Sequence, residues 1–390
     1  MKHLFNILIL VFAFNVSGQE LSVGIMRYYK LTGVKVSYNE GNYRVYGDTS
    51  EITGMWADQS IYLKRSGNGV KIEKGGNTLG TFDTVYFRQQ KANSSFNIQA
   101  LSGNKVRKYQ DDLVIFADAE GLLTTVNEVN MANYLAGVIE SEGGGGKHIE
   151  YYKVQAILSR TYALDHLSKH KKEGFSVCDR THCQAYHSML RFTPDIRKAV
   201  EETKGIIMLD QNLKLADGFF FANCGGQTSE SDFVWNVAVP YCRSIADTFC
   251  VNSKQANWTT KISKSSWKHY LIEQFGYPVN DSVFGEYLYT FDQPARKAFY
   301  IAPQLGIPLR DLRVEFKLKS TWFSCHPEGD QVVLVGKGFG HGVGLCQEGA
   351  MNMAKAGYSY EQILHFYFTD IQLFDYFKWL FLKQEEVVGL

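Results

Sequence analysis

The sequence predicts an α+β fold, a β-rich core with a helical active-site segment, preceded by an N-terminal antiparallel β region. Three observations carry this expectation. From Leu21 to about Ala119, short alternating apolar runs are broken by turn signals, whereas from Asn127 the apolar period becomes that of a helix. Aromatic residues make up 14% of the chain, a share that suits strands, or a groove whose flat side chains stack on sugar rings.

The N-terminal strands read as Val34-Lys35-Val36, Tyr43-Arg44-Val45-Tyr46, Ile61-Tyr62-Leu63, Val85-Tyr86-Phe87 and Leu113-Val114-Ile115-Phe116. Between them stand Gly41-Asn42, Gly67-Asn68, Gly75-Gly76-Asn77 and Gly103-Asn104, residues that accept positive φ in tight turns. No His, Cys or paired carboxylate constellation falls in this region, which therefore reads as scaffold or binding surface. Its expected span is 19–120, followed by a catalytic domain over 121–375 and a tail over 376–390. Within the catalytic domain, 256–323 reads as an inserted lobe with an amphipathic helix from Trp267 to Phe275.

Composition narrows the class. With 390 residues, 45% hydrophobic and 21% charged, the chain can bury one large or two medium cores and is not a disordered sequence. Lys+Arg 41 against Asp+Glu 40 leaves a formal charge of +1, so there is no basic field for nucleic acid or anionic lipid. Lys2 and His3 precede an apolar run from Leu4 to Val16 and then Ser17-Gly18, the shape of a signal peptide cleaved before Gln19. No later stretch offers about 18 uninterrupted apolar residues, so a chain exported to the cell envelope, without stable membrane insertion, is expected. Seven cysteines, the first at Cys178, form no disulfide framework, and an odd count points first to metal or a reactive thiol.

A helix is expected to begin after Asn127 or Asn130, either of which can cap it. On its 3.6-residue repeat, Glu142 follows Leu135 and Val138 on the apolar face, while Glu140 points toward solvent. Gly143 to Gly146 then stop the helix and leave space before the Glu142 carboxylate. A second helix, from about Glu150 to Lys169, is apolar nearly all round and so belongs in a core. Arg160 lies on its small-residue face and needs compensation there, either from Glu142 or from a ligand. Later, Phe219-Phe220-Phe221 lead into a polar, glycine-bearing strand end, and Ser359 with Gln362 make a capping box for a last helix through Phe368.

Five ordered blocks are specific. They are Asn130 to Glu142, Val154 to Leu164, Cys178-Asp179-Arg180-Thr181-His182-Cys183-Gln184-Ala185-Tyr186, Asn223-Cys224-Gly225-Gly226-Gln227-Thr228, and the Gly338 to Ala350 loop. Together they resemble the SpoIID/LytB family over about residues 120–375. The resemblance implies a lytic transglycosylase that cuts between N-acetylmuramic acid and N-acetylglucosamine in glycan strands freed of stem peptides, with Glu142 as the catalytic acid. A carboxyl on an apolar face beside a glycine gap is expected to have a raised pKa, in agreement with that role. Arg160, Gln184, Tyr186, Asn223, His341 and Gln347 are then expected to line the groove. A cell-wall amidase acting upstream is the implied partner. Related sequences often carry serine where Cys346 stands, which leaves no hydroxyl role at that position, and a packed thiol is expected there.

Cys178, Cys183, His170 and His182 form a compact cluster suited to zinc, and some family members hold zinc near the active site. Adjacent His182 and Cys183 strain to reach one metal, so the cysteines rank first, His170 next and His182 fourth; a local disulfide or free thiols are the alternatives. Cys242 and Cys250 read as a disulfide or an uncommitted pair. His341, among four glycines, reads either as a ligand contact or as part of a tight structural turn. Two rival functions remain: a non-catalytic glycan-binding module or amidase enhancer, and a zinc hydrolase that needs an open coordination position.

Overall fold

The computed structural model describes residues 19–388, so the expected signal peptide lies outside the described residues. The chain forms two compact units. The first runs to Tyr134 and takes up Ser168–Met189 as well; the second comprises Leu135–Leu167 and the chain from Leu190 onward. The units thus divide along a different line from the 120/121 boundary read in sequence, because the cysteine-bearing loop returns to the N-terminal unit.

Twelve strands open the first unit: β1 (Glu20–Ile25), β2 (Gly33–Glu40), β3 (Tyr43–Gly47), β4 (Ser50–Met55), β5 (Ser60–Ser66) and β6 (Gly69–Lys74). They continue as β7 (Asn77–Phe82), β8 (Thr84–Gln89), β9 (Ser95–Ala100), β10 (Val106–Gln110), β11 (Asp112–Ala117) and β12 (Leu123–Asn130), with a short β13 (Val177–Cys178) added from the returning loop. They make a sheet ordered β13-β1-β12-β11-β8-β3-β4 and another ordered β10-β9-β2-β5-β6-β7. Alternate side chains are buried: Val34 and Val36, Ile61 and Leu63, Val70 and Ile72, Phe96 and Ile98. Two-residue turns join β5 to β6 and β6 to β7, with Gly67 at φ +61° and Gly75 and Gly76 at φ +57° and +84°. β13 pairs in parallel with β1, setting Cys178 beside Gly24.

In the second unit, α1 (Met131–Gly143), α2 (Ile149–Asp165) and α3 (Pro194–Glu202) come first. Asn130 caps α1, its Oδ1 accepting from the Ala132 amide at 2.9 Å. Asn127 does not cap it. That residue lies in β12, where its Nδ2 donates to the carbonyls of Gln110 and Asp112. Twelve of the seventeen residues of α2 are buried, so it is a core helix, and it ends at Asp165 rather than running to Lys169.

Residues from Asn257 to Lys337 share a core that runs past the 256–323 span read in the sequence. A three-stranded sheet, Asn257–Ser263, Phe323–Glu328 and Gln331–Lys337, packs with the helix Lys264–Phe275 around Trp267, Leu271, Tyr300, Leu312, Phe323 and Leu334. Ser263 caps that helix, and Gly276 at φ +63° stops it. Near the C-terminus the helices Gln347–Lys355 and Tyr360–Tyr367 follow, the latter opened by the Ser359/Gln362 capping box. No described helix is long and apolar enough to cross a membrane.

Candidate active site and metal centre

Glu142 sits, half-buried, in the last turn of α1. Tyr151, fully buried in the first turns of α2, lies against it: burial, then the Glu142 charge, push the Tyr151 phenol well above its ordinary value. That phenol keeps its proton and is a donor at any physiological pH. The Gln347 side chain acts on it in the opposite direction, and the Tyr151 hydroxyl itself has no hydrogen-bond partner. Glu142, Tyr151 and Gln347 therefore converge from α1, α2 and the start of the helix Gln347–Lys355. Gly143 permits the approach, since a Cβ there would lie 3.2 Å from the Tyr151 hydroxyl.

The glycine run beyond Glu142 is held rather than loose. Tyr152 Oη accepts from the Lys147 amide at 2.9 Å and donates to the Gly144 carbonyl at 3.3 Å. Gly144 and Gly146 take φ +65° and +72°, and a Cβ at either would meet nothing within 4 Å, so the space in front of the helix end is open. Glu140 departs from its expected solvent-facing place. It is buried and accepts from the amides of Arg191 and Phe192 at 3.0 and 2.9 Å, with the Arg191 guanidinium alongside. Two backbone donors outside any helix needed an acceptor, and Glu140 supplies it.

Four expected groove residues have other duties. Arg160 is buried and pairs neither with Glu142 nor with open space. Its Nη1 donates to the Ile206 carbonyl at 2.9 Å, at the start of the strand Ile206–Leu209, and its Nη2 to the Val200 carbonyl in the last turn of α3 at 3.5 Å, so backbone carbonyls, one of them at a helix C-terminus, receive the charge. Burial lowers its pKa to about 10. In the first unit, Tyr186 is fully buried against Tyr109 and Tyr134, its hydroxyl donating to Asn127 Oδ1 at 3.0 Å. Gln184, also buried, accepts from the Tyr134 hydroxyl at 3.1 Å. Asn223 is buried too: its Nδ2 donates to the Cys250 carbonyl and to Glu348 at 2.6 Å, and its Oδ1 accepts from the Gly225 amide. These are core residues, because polar side chains inside a fold must find partners there.

His341 belongs with them. Nε2 lies 3.0 Å from the Phe220 carbonyl, to which it donates, and Nδ1 accepts from the Val343 amide at 3.1 Å, so both ring nitrogens are engaged by backbone. The surrounding glycines serve close chain approach: a Cβ on Gly338 would strike the Asn223 carbonyl and one on Gly344 that of Phe219. The tight-turn reading of this loop is the one the geometry supports. Burial lowers the His341 pKa to about 4. Unfolded histidine titrates near 6.5, so the unfolded chain takes up a proton first as pH falls; stability is full above about 6.5 and is lost toward 4. The loss reaches about 3 kcal/mol. Urea melts at pH 7 and pH 4.5 are expected to show a pH-dependent drop that shrinks in His341→Gln; an equal drop in the variant would assign acid sensitivity elsewhere.

The first unit holds the expected metal donors together. His170, Cys178, His182 and Cys183 each bring one ligand atom within 4.8 Å of the others. Cys183 Sγ lies 3.4 Å from His170 Nε2, and His182 Nδ1 stands 3.9 Å from both sulfurs. Adjacent His182 and Cys183 both reach the cluster because the turn closed by the Cys183 amide on the Arg180 carbonyl folds them inward. Asp179 fixes that turn: its buried carboxylate accepts from the Met26 and Arg27 amides and from Arg107 at 2.6 Å. His170 Nδ1 bonds Glu173, which leaves Nε2 to face the sulfurs, an arrangement typical of metal-bound histidine.

Tyr151 had no signal of chemistry in the sequence beyond being a tyrosine on an otherwise apolar helix. Gln155 and Ser159, one and two turns further along α2, are buried with side-chain polar atoms that find no partner, sites suited to ordered water. Cys250 does not pair with Cys242: its sulfur lies 3.1 Å from Cys224, and Cys242 is buried apart.

Comparison with known proteins places these features. Residues 119–209 match the family described as SpoIID, stage II sporulation protein. An uncharacterized protein of Brachyspira hyodysenteriae is 28% identical over 89% of this chain and 92% of its own length. The amidase enhancer of Bacillus subtilis is 28% identical over 62% of this chain, though that alignment spans only 40% of the relative. Stage II sporulation protein D of Bacillus subtilis is 25% identical over 64% of this chain and 76% of its own length. The matched segment contains α1 with Glu142, α2 with Tyr151 and the Cys/His loop, and with relatives named for both branches the chain resembles the SpoIID/LytB family.

Proposed function

We propose that this protein is an envelope peptidoglycan lytic transglycosylase, cleaving between N-acetylmuramic acid and N-acetylglucosamine in strands freed of stem peptides. One observation carries the reading: Glu142 stands at a helix end beside a protonated, buried tyrosine, before an open glycine run. The resemblance to the SpoIID family and the relatives named for sporulation and for amidase enhancement support a cell-wall role. Glu142 protonates the glycosidic oxygen as the bond to muramyl C1 breaks. The resulting carboxylate then takes the proton of the muramyl C6 hydroxyl as that oxygen attacks C1, which closes a 1,6-anhydro ring and restores the acid. A single carboxyl completes the cycle, whereas hydrolysis by water would call for a second carboxylate across the bond. The Tyr151 hydroxyl, buried without a hydrogen-bond partner, is placed to donate to the Glu142 carboxylate when substrate binds, and Gln347 contacts the sugar from the facing helix.

The four donors at His170, Cys178, His182 and Cys183 suit zinc in a closed, structural site. With four protein donors no position is left for a reactive water, which disfavours a zinc hydrolase. The decisive test is mass spectrometry of products from amidase-stripped glycan strands. Anhydro-muramyl ends support the transglycosylase, reducing ends indicate hydrolysis, and binding without cleavage favours the amidase-enhancer role. Tyr151→Phe is expected to lower kcat about tenfold with KM little changed, since it removes a donor that acts on the catalytic group. An unchanged kcat would remove Tyr151 from the mechanism.

A further inference from the structure

A second group of metal-ligating side chains lies in the other unit, apart from the cluster already described. Cys224, Asp247, Cys250 and Cys346 are all buried, and each offers one atom within 4.8 Å of the rest. Cys224 Sγ stands 3.1 Å from Cys250 Sγ and 3.2 Å from Asp247 Oδ2. Three segments meet here: the chain after the strand Phe220–Phe221, the turn over 247–250, and the end of the parallel partner strand Leu345–Cys346.

Backbone amides are aimed at the sulfurs. Cys346 Sγ accepts from the Cys224 amide at 3.2 Å and the Gly349 amide at 3.4 Å, and Cys224 Sγ from the Gly226 amide at 3.4 Å. Such N–H donors favour a thiolate, the form that binds metal. Asp247 is oriented as a ligating carboxylate should be, its Oδ1 held by the Phe249 amide and its Oδ2 by the Tyr367 hydroxyl, both at 2.9 Å. Gly349 admits no side chain, because a Cβ there would fall 2.5 Å from Asp247 Oδ2.

An independent feature points the same way. Arg296 is 8% exposed, donates to the Gln227 and Cys224 carbonyls at 2.7 and 2.8 Å, and leaves Nη1 with no hydrogen-bond partner. No carboxylate forms an ion pair with it among the described residues, and its bond to the Cys224 carbonyl sets it beside the cysteine cluster. A buried guanidinium needs negative charge nearby, and three thiolates with a carboxylate around a divalent cation supply it.

We propose that Cys224, Cys250, Cys346 and Asp247 bind one zinc ion as a second, structural site. Soft thiolates with one carboxylate in a four-donor set suit zinc, and the closed set makes the site a staple rather than a reaction centre. It ties the start of the helix Gln347–Lys355, and so Gln347, to the Phe220–Phe221 strand. A Cys224–Cys250 disulfide, the other use of the short sulfur contact, would leave Cys346 with two amide donors and no metal.

Cys178→Ser/Cys183→Ser in the mature chain removes the other cluster, so zinc in the purified variant reports this site alone. One equivalent per chain is expected, and replacing it with cobalt is expected to produce a thiolate-to-cobalt charge-transfer band and the strong visible absorption of tetrahedral cobalt. Absence of metal, or a Cys224–Cys250 disulfide in peptide maps of protein prepared without reductant, overturns the proposal. If that variant does not fold, Cys346→Ala in the otherwise unchanged chain is expected to carry one zinc fewer than the parent, and an equal count overturns it.

Discussion

Glu142→Gln is expected to lower the release of anhydro-muramyl ends about a thousandfold, in the range for loss of a general acid/base, with no change in melting temperature. The amide keeps the shape of the carboxyl but can neither give the proton to the glycosidic oxygen nor take one from the C6 hydroxyl. Glu140→Gln supplies the contrast. Glu140 accepts from two backbone amides, so its loss is expected to destabilise the protein by about 1 to 3 kcal/mol through donors left without a full acceptor. If Glu140→Gln abolishes cleavage in a fully folded protein while Glu142→Gln cleaves normally, the assignment of the acid is wrong.

Chelation of the zinc-loaded protein is expected to lower its stability by on the order of 5 kcal/mol or more, since structural zinc in small folds contributes about 10 to 16 kcal/mol. The site at His170, Cys178, His182 and Cys183 gathers donors from a loop with little regular structure, Ser168–Met189, whose strand β13 is two residues long. The Asp179 contacts, β13, the buried Tyr186 and Gln184 and the Ser188 bond to the Lys108 carbonyl also tie that loop to the unit, so loss of zinc is expected to loosen the 170–183 turn first. Glu173→Gln is expected to weaken zinc about 10- to 100-fold, because Glu173 orients His170 from outside the donor set. Competition with a chromogenic chelator measures both. An affinity equal to the parent's would show that His170 is not a ligand, and immediate loss of cleavage on chelation, with the fold intact, would revive metal-activated water.

What could be read without coordinates was local. Alternation at Val34/Val36 or Ile61/Leu63 and the Gly-Asn and Gly-Gly turns specify strands and hairpins because side-chain period and positive φ are properties of a few neighbouring residues. The four donors at 170–183 meet because at most thirteen positions separate them. The Glu142 face of α1 followed from a 3.6-residue repeat; the solvent-facing place of Glu140 did not survive, since its acceptors' donors come from residues 191 and 192 on another segment.

By itself, then, the sequence determined the β-rich N-terminal region, the helix that carries Glu142, the family's ordered blocks and the local metal cluster. Only the tertiary structure decided the fates of Arg160, Tyr186, Asn223 and His341, whose partners at Ile206, Asn127, Glu348 and Phe220 lie 46 to 125 residues away. It alone brought Tyr151 beside Glu142 and Cys224 beside Cys250 and Cys346. The physical reason is that a buried polar group is satisfied by whichever partner packing delivers, and packing between distant segments leaves no periodic mark in the chain.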